Sequence, residues 1–287
     1  MRSLIIALHL LCTPAKDSMP FPYPIKNPEH PFKWTQVRLD LPRKYKDSVI
    51  TVFKKIFSDR DLKKVAETEN FAADLKFVNL NGDNLPDIIY EGWSGGEANM
   101  IIMFVNEKKN FKEVFYGSQH IVEMNYSSNR LSSFITYDQG CCDPTVEFDR
   151  HFSVDTGFHC RLTRQRAIIV GSHIGESGYT TPDGFFDQPI RFKTLNDHYA
   201  LRYAPIITDK QPDVDFDEKT KGNIIAEYYK DFEGTAWAYK KDNTGREWWL
   251  VEMDPTFALE YNLFWDLDDQ HTNYFGWMSS RFVEKLP

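Results

Sequence analysis

The sequence lacks a long apolar run, a long basic stretch and a familiar catalytic motif. Its 287 residues carry a formal net charge of −8. No segment concentrates enough Lys and Arg to neutralise a phosphate backbone, which excludes general nucleic-acid binding. The early apolar run from Leu4 to Cys12 is too short to span a bilayer, and no later run is longer. We therefore expect an acidic globular protein without a transmembrane segment; its oligomeric state stays open.

The missing catalytic motifs predict a protein that is not an enzyme. The stretch Gly92-Trp93-Ser94-Gly95-Gly96 is typical of a turn and lacks the strand-to-helix setting of a nucleophile elbow. His151, His159 and Cys160 have no fourth zinc ligand at a suitable spacing. The alternative is an enzyme whose site is assembled from scattered residues.

The N-terminus has the pattern of a secretory signal peptide. A single Arg, an apolar run and small residues at Thr13 and Ala15 predict cleavage after Ala15, so that residues 1–15 are removed. We therefore expect export to the periplasm, the cell surface or the medium. Lipidation of Cys12 is less favoured because Leu11 precedes it, and a buried first strand or helix is the alternative to export.

Cysteine is scarce, with four residues in the chain. Removal of Cys12 would leave Cys141, Cys142 and Cys160, an odd number that indicates one disulfide and one spare thiol. Adjacent cysteines rarely bond each other, so Cys160 is predicted to pair with Cys141 or Cys142. Three reduced cysteines are expected instead if the protein stays in the cytosol.

Aromatic residues are abundant at 15%, which favours short, half-buried strands. Residues 16–42 are rich in proline and predict an extended lead-in without a core of its own. Apolar residues then recur at helical spacing from Lys44 to Lys55 and predict an amphipathic helix. From Asp74 onward, strand patterns predict an antiparallel meander, with strands at 75–78, 87–90, 100–105, 111–116, 120–124, 131–137, 146–154 and 167–170.

These patterns give a mainly β fold class with two domains. The first, at 43–174, is an antiparallel β meander with an N-terminal helix. The Gly- and Pro-rich segment 175–189 is the predicted linker. The second domain, at 190–287, is predicted to be a small β-barrel.

An acidic turn lies between two predicted strands at residues 79–87. Oxygen-bearing side chains occupy alternate positions, and with one carbonyl they form the all-oxygen set that calcium prefers. The segment from 78 to 90 resembles the calcium loop of the FG-GAP/VCBS repeats, although Asn79 replaces the usual Asp and Asn84 the usual Gly. The resemblance implies weak calcium binding, the alternative being a metal-free turn; the candidate ligands are Asn79, Asn81, Asp83, the Leu85 carbonyl and Asp87.

The C-terminal segment resembles the bacterial SH3-like (SH3b) domains. It closes with Gly276-Trp277-Met278-Ser279-Ser280-Arg281-Phe282, close to the Gly-Trp-x-x-Ser-Arg-Tyr/Phe ending of that family. The resemblance covers about the last 95 residues and implies a five-stranded barrel that binds cell-wall peptides or other ligands, or acts as a spacer.

A long connection from Asp254 to Tyr274 departs from the family pattern. Its aromatic rings and carboxylates suit a cationic or sugar ligand, and the alternative is that the rings pad the barrel wall. The candidate ligand-binding residues are Tyr261, Trp265, Asp268 and Asp269. The sequence thus predicts an exported, envelope-associated binding or scaffold protein, with a cell-wall hydrolase accessory or an inert module with a calcium-bound turn as alternatives.

Overall fold

The architecture is taken from a computed structural model. It describes residues 32–60, 62–83, 85–96, 99–108, 110–118, 120–139, 145–171, 180–209, 221–256, 259–263 and 271–287. The predicted signal peptide lies outside these residues. Strands account for 52% of the described residues and helices for 14%, which confirms the mainly β fold class with antiparallel sheets and an N-terminal helix.

Within the described part of the chain, three α-helices precede sixteen strands. The helices are α1 (Arg43–Ser58), α2 (Lys63–Ala66) and α3 (Phe71–Asp74). The strands of the N-terminal half are β1 (Leu75–Val78), β2 (Asp87–Trp93), β3 (Asn99–Asn106), β4 (Phe111–Ser118), β5 (His120–Ser127), β6 (Arg130–Gln139), β7 (Thr145–Val154) and β8 (Cys160–Gly171). Those of the C-terminal half are β9 (Gly184–Thr194), β10 (Tyr199–Arg202), β11 (Ile224–Tyr228), β12 (Glu233–Lys241), β13 (Glu247–Met253), β14 (Tyr261–Asn262), β15 (Thr272–Ser279) and β16 (Val283–Lys285).

Helix α1 forms because its apolar residues recur every four positions. Val49, Phe53 and Phe57 are buried, and the last two have no exposed surface. The ring of Phe53 lies 5.0 Å from that of Phe104 on β3, and the ring of Phe57 lies 4.9 Å from Tyr90 on β2. The helix therefore covers one face of the first sheet, as its amphipathic pattern predicts.

The first sheet has the order β1-β2-β3-β4, and all its pairs are antiparallel. Its second face packs against the β5–β6 hairpin through a separate apolar core that includes Ile89, Ile101, Leu131 and Phe134. This first sheet is therefore buried on both faces. That explains why β3 reads as a continuous apolar run from Met100 to Val105.

The predicted linker differs from the structure in its second half. Strand β9 begins at Gly184, inside the predicted linker 175–189. Pro182 precedes this strand and Pro189 lies within it, and prolines so close together favour a connection over a strand. In the lead-in, Leu39 and Leu41 pack against the helix-side core, and Trp34 packs against the second core, so residues 32–42 add to cores that later elements form.

The two halves share one sheet, which the predicted division into two domains did not anticipate. The large sheet has the order β16-β9-β12-β13-β15-β8-β7-β6-β5, and β10, β11 and β14 join it beside β15. Its only parallel pair among the described strands joins Thr272–Phe275 of β15 to Gln165–Ile168 of β8. Parallel partners far apart in sequence leave no local signal, so sequence reasoning could not foresee this pairing.

Strand β15 contains most of the closing motif. An added Cβ at Gly276 would lie 2.6 Å from the carbonyl oxygen of Arg202, so a side chain there would force β10 away from β15. The motif residue Trp277 is buried, whereas the Ser280–Phe282 segment forms a 3₁₀ turn. An SH3-like barrel for this half remains a prediction. No helix among the described residues is long and apolar enough to cross a membrane.

The position of Cys160 argues against the predicted disulfide. Cys160 lies opposite Val154 in the strand register at one end of the β7–β8 hairpin, and Thr145 lies at the other end. The ten residues of β7 span about 30 Å. Cys141 and Cys142 lie outside the described residues, but the three or four residues of chain that link either of them to Thr145 reach at most about 14 Å. The remaining gap is far beyond the length of a disulfide.

We therefore expect Cys160 to be a free thiol. Burial raises its pKa to about 11, so the reactive thiolate is scarce at neutral pH and alkylation of the folded protein should be slow. Peptide mapping after alkylation in denaturant, without reductant, should recover Cys160 fully modified. A peptide that joins Cys160 to Cys141 or Cys142 would contradict this expectation.

Candidate functional site

A cavity of about 730 Å³ opens where the first sheet meets the β5–β6 hairpin. No Lys or Arg lines it among the described residues, although two carboxylates do. We call it the acidic cavity, and its principal side chains are Trp34, Asp74, Glu91, Trp93, Asn99, His120 and Tyr137.

Glu91 is held rigidly at the end of β2. Its Oε2 accepts a hydrogen bond of 2.9 Å from the indole nitrogen of Trp34, and its Oε1 accepts one of 2.9 Å from the backbone nitrogen of Ile121. Its side chain keeps 12% of its surface exposed. These donors leave lone pairs on both oxygens, so the carboxylate can also accept a bond from a ligand.

His120 completes a chain of polar contacts beside Glu91. Its Nδ1 lies 3.4 Å from Glu91 Oε1, and its Nε2 lies 3.2 Å from the amide nitrogen of Asn99. Because an amide nitrogen only donates, Nε2 accepts and the ring proton lies on Nδ1, facing the carboxylate. The imidazole thus lies against Glu91 and helps to fix the orientation of its carboxylate.

Asp74 supplies the second carboxylate from the end of α3. An added Cβ on Gly92 would lie 2.4 Å from Asp74 Oδ2, so the glycine makes room for this carboxylate. Burial raises the pKa of Asp74, the positive charge of Lys76 lowers it, and the negative charge of Glu91 raises it. Lys76 therefore already attracts both carboxylates, and a cation bound in the cavity would add a second, closer source of attraction.

Aromatic side chains form the walls of the acidic cavity. The rings of Phe32 and Trp34 meet edge to face with their centres 5.0 Å apart. Trp93 is 39% exposed, and its indole nitrogen donates to the carbonyl of Gly96 over 2.6 Å. Aromatic faces attract ammonium and guanidinium groups, particularly where water is partly excluded. The aromatic walls and the two carboxylates of the acidic cavity therefore favour the same kind of ligand, a cation.

Sequence reasoning missed this cavity. Its principal polar residues come from α3, β2, β3, β5 and β6, and only Asp74 and Glu91 are neighbours in one hairpin. Trp93 was interpreted as part of a turn, and it is the last residue of β2. The sequence contains one weak signal of this cavity: the carboxylate of Glu91 directly follows the apolar residues Ile88–Tyr90, which are buried.

The predicted calcium loop forms a turn whose side chains bond its own backbone. Asn79 Oδ1 accepts from the nitrogen of Gly82 at 2.8 Å, and Asn81 Oδ1 accepts from Asp83 at 3.0 Å. Asp83 Oδ1 in turn accepts from the nitrogen of Leu85 at 2.8 Å. These are the Asx contacts that stabilise a metal-free turn. A cation would have to displace or share them.

Asp87 fixes both ends of the loop. Its Oδ2 accepts from the backbone nitrogen of Leu80 at 2.6 Å, and its Oδ1 accepts from Asn106 at 2.8 Å. The residue has no exposed surface, and this burial raises the pKa of Asp87 to about 6, against the lowering effect of the backbone donors. Its contribution to stability therefore declines as the pH rises from about 4 to about 6.

The oxygen donors of the loop suit calcium in kind, but the buried Asp87 is directed at backbone nitrogens rather than at the exposed Asp83. No group of three or more His, Cys, Asp or Glu side chains that could hold a metal occurs among the described residues. The turn is complete without a cation, and weak calcium binding stays a prediction.

The predicted ligand site of the C-terminal half is only partly visible. Tyr261 lies on β14, opposite Glu227 of β11, and its ring centre is 4.8 Å from the ammonium group of Lys221. This half-buried ring already contacts a cation of the protein itself. Trp265, Asp268 and Asp269 lie outside the described residues.

The comparisons with known proteins assign no relationship. No protein-family model, curated protein or solved structure matches the chain. The function is therefore argued from the site alone.

The contacts of the loop predict a strong contrast between its two aspartates. Asp87→Ala should lower the free energy of unfolding by about 3 kcal/mol, because buried backbone donors lose their acceptor. Asp83→Ala should lower it by less than about 1 kcal/mol, because Asp83 is exposed. Chemical denaturation of both variants measures the difference, and equal losses would contradict the assigned roles.

Calcium binding has a separate test. If the loop holds calcium with two carboxylates, about 1 mM calcium should raise the melting temperature of the wild type but not of Asp83→Ala. The exposed variant is chosen because it leaves the Asp87 anchor intact. If both proteins melt alike with calcium and with a chelator, the loop is only a turn.

Proposed function

We propose that the protein is an exported, non-enzymatic binding protein whose ligand places an ammonium group in the acidic cavity. The observation that carries the proposal is the pairing of Asp74 with Glu91 among aromatic rings, without a lining cation among the described residues. Lys76, which offsets the repulsion between the two carboxylates, does not line the cavity, so an ammonium group of a ligand would add an attraction inside the cavity that the fold itself does not supply there.

The geometry supports an amine on an apolar stem. Glu91 offers fixed acceptor lone pairs, and its donors Trp34 and Ile121 already hold it in place, so binding costs little reorganisation. The stem would contact the rings of Trp34 and Trp93. A neutral sugar would bring no positive charge to the two carboxylates, and they would repel an anion.

The ligand class fits the proposed setting in the cell envelope. A cell-wall peptide with a free side-chain amine presents this chemistry, and an exported scaffold or binding protein would meet it. The proposal moves the main ligand site from the C-terminal connection to the acidic cavity. The C-terminal half then serves as a support or as a second binding unit.

A hydrolase is the second candidate, because a carboxyl group with a raised pKa, such as Asp74, beside another carboxylate is typical of acid–base pairs. Binding accounts better for Glu91, whose two oxygens each already accept a hydrogen bond from the protein. In addition, the one aliphatic hydroxyl that lines the cavity among the described residues, that of Thr68, donates to the Val65 carbonyl at 2.9 Å.

Asp74→Asn is the decisive variant. We expect it to weaken binding of N-acetyl-lysine methylamide about tenfold, because one of the two charges that attract the ammonium group is lost. The same change should leave stability equal or slightly higher at neutral pH. Burial raises the pKa of Asp74, so its ionised form destabilises the fold above that pKa. Calorimetric titration and thermal melting measure the two effects.

The controls separate binding from bulk charge. Asp59→Asn removes the same charge from an exposed position on the surface and should change neither quantity. N-acetyl-norleucine methylamide keeps the apolar stem without the amine and should bind far more weakly.

Affinity for the lysine ligand should also fall as the pH is lowered through the raised pKa of Asp74. Equal affinity of Asp74→Asn and wild type would refute the proposal, and turnover of a glycan or peptide would favour the hydrolase.

A further inference from the structure

A second cavity, of about 270 Å³, lies beside the large sheet, between β10, the start of β13 and the end of β15. Three arginines line it, and no carboxylate does among the described residues. We call it the cationic pocket, and its principal side chains are His198, Arg202, Arg246, Trp248, Arg281 and Phe282.

Arg202 is neutralised within the protein. Its Nη1 donates to Asn223 Oδ1 at 2.6 Å, and its Nη2 lies 2.8 Å from Asp209 Oδ1. His198 is similarly paired with Glu260. These two residues shape the pocket and leave its positive charge to the other two arginines.

Arg246 and Arg281 form no ion pair with any described residue. The guanidinium of Arg246 lies 5.6 Å from the ring centre of Trp248, and its Nε is buried without a hydrogen-bond partner among the described residues. A buried guanidinium donor without an acceptor is costly unless a ligand supplies one. In a chain with a net charge of −8, an uncompensated pair of arginines in a concave site is a specific feature.

The rim of the cationic pocket is apolar. Phe282 is 47% exposed and Ile207 is 50% exposed, and both line the pocket. Arginine recognises carboxylates and phosphates through paired hydrogen bonds, whereas exposed apolar side chains favour contact with a small apolar group beside the anion.

We propose that the cationic pocket binds a compact anionic group, a carboxylate or a phosphate, attached to a small apolar group, through Arg246 and Arg281. This site is separate from the acidic cavity and does not depend on its function. The protein then has two sites of opposite charge.

Two probes of defined chemistry test the proposal. Inorganic phosphate and N-acetyl-alanyl-alanine, which has a free carboxylate, are titrated at constant ionic strength. At least one should bind saturably, with a Kd on the order of 1–10 mM for so small a ligand. The Nε–Hε resonance of Arg246 should shift along the same titration curve. Saturation by phosphate alone identifies a phosphate group, by the peptide alone a carboxylate terminus, and by both a general anion site.

Matched variants locate the site. Arg281→Gln, at an exposed position, and Arg246→Gln should each weaken binding about tenfold. Arg43→Gln changes the net charge equally, on a side chain that is 96% exposed on α1, and should bind like the wild type. The amide form of the peptide should bind far more weakly than the acid. Absence of saturable binding by either probe up to about 50 mM, or equal affinity of all three variants, would overturn the proposal.

Discussion

The parallel pairing of β15 with β8 determines how the two halves of this molecule sit together. Polar side chains surround it: Gln165 donates to Thr272 Oγ1 at 3.0 Å across the junction, and Arg164 pairs with Glu252 of β13. Gln165 also accepts a bond of 2.6 Å from Arg150. Buried polar groups of this kind are costly when unpaired, so any other docking of the halves would leave several of them unsatisfied. The junction therefore selects one arrangement.

The junction between β8 and β15 lies between the two proposed sites in the large sheet. Tyr137 of β6 lines the acidic cavity, and Ser279 at the end of β15 lines the cationic pocket, with β7 and β8 between these strands in the same sheet. A continuous hydrogen-bonded sheet keeps the two cavities at a fixed separation. A ligand with an amine and an acid could engage both only if its length matched that separation; otherwise the sites act independently.

The sequence predicted local elements well and distant contacts poorly. Helix α1 and strands such as β3 and β7 followed from their apolar periodicity, because burial of one face dictates that pattern. Gly276 was interpreted only as part of a family-like ending, although its role is to let β10 approach. The β1–β2 hairpin alone places Asp74 beside Glu91, but the acidic cavity was missed because His120 of the large sheet reaches Glu91 only after the two sheets have packed together. The turn that ends at Asp87 was predicted in the correct place. The buried anchoring role of Asp87 was not predicted, because one of its hydrogen-bond donors is the backbone nitrogen of Asn106, nineteen residues away.

Strand β2 shows why residue type alone could not assign the roles of its two acids. Asp87, Ile89 and Glu91 alternate along the strand and so point to one face. Asp87 has no exposed surface and bonds backbone nitrogens of the loop and of β3, so its charge is used within the fold. Glu91 bonds only one backbone nitrogen and keeps part of its surface open to the cavity. Asp87 therefore anchors a loop at one end of the strand, whereas Glu91 borders the open cavity near the other end. The two acids differ in the number of backbone donors that they bond and in their access to solvent.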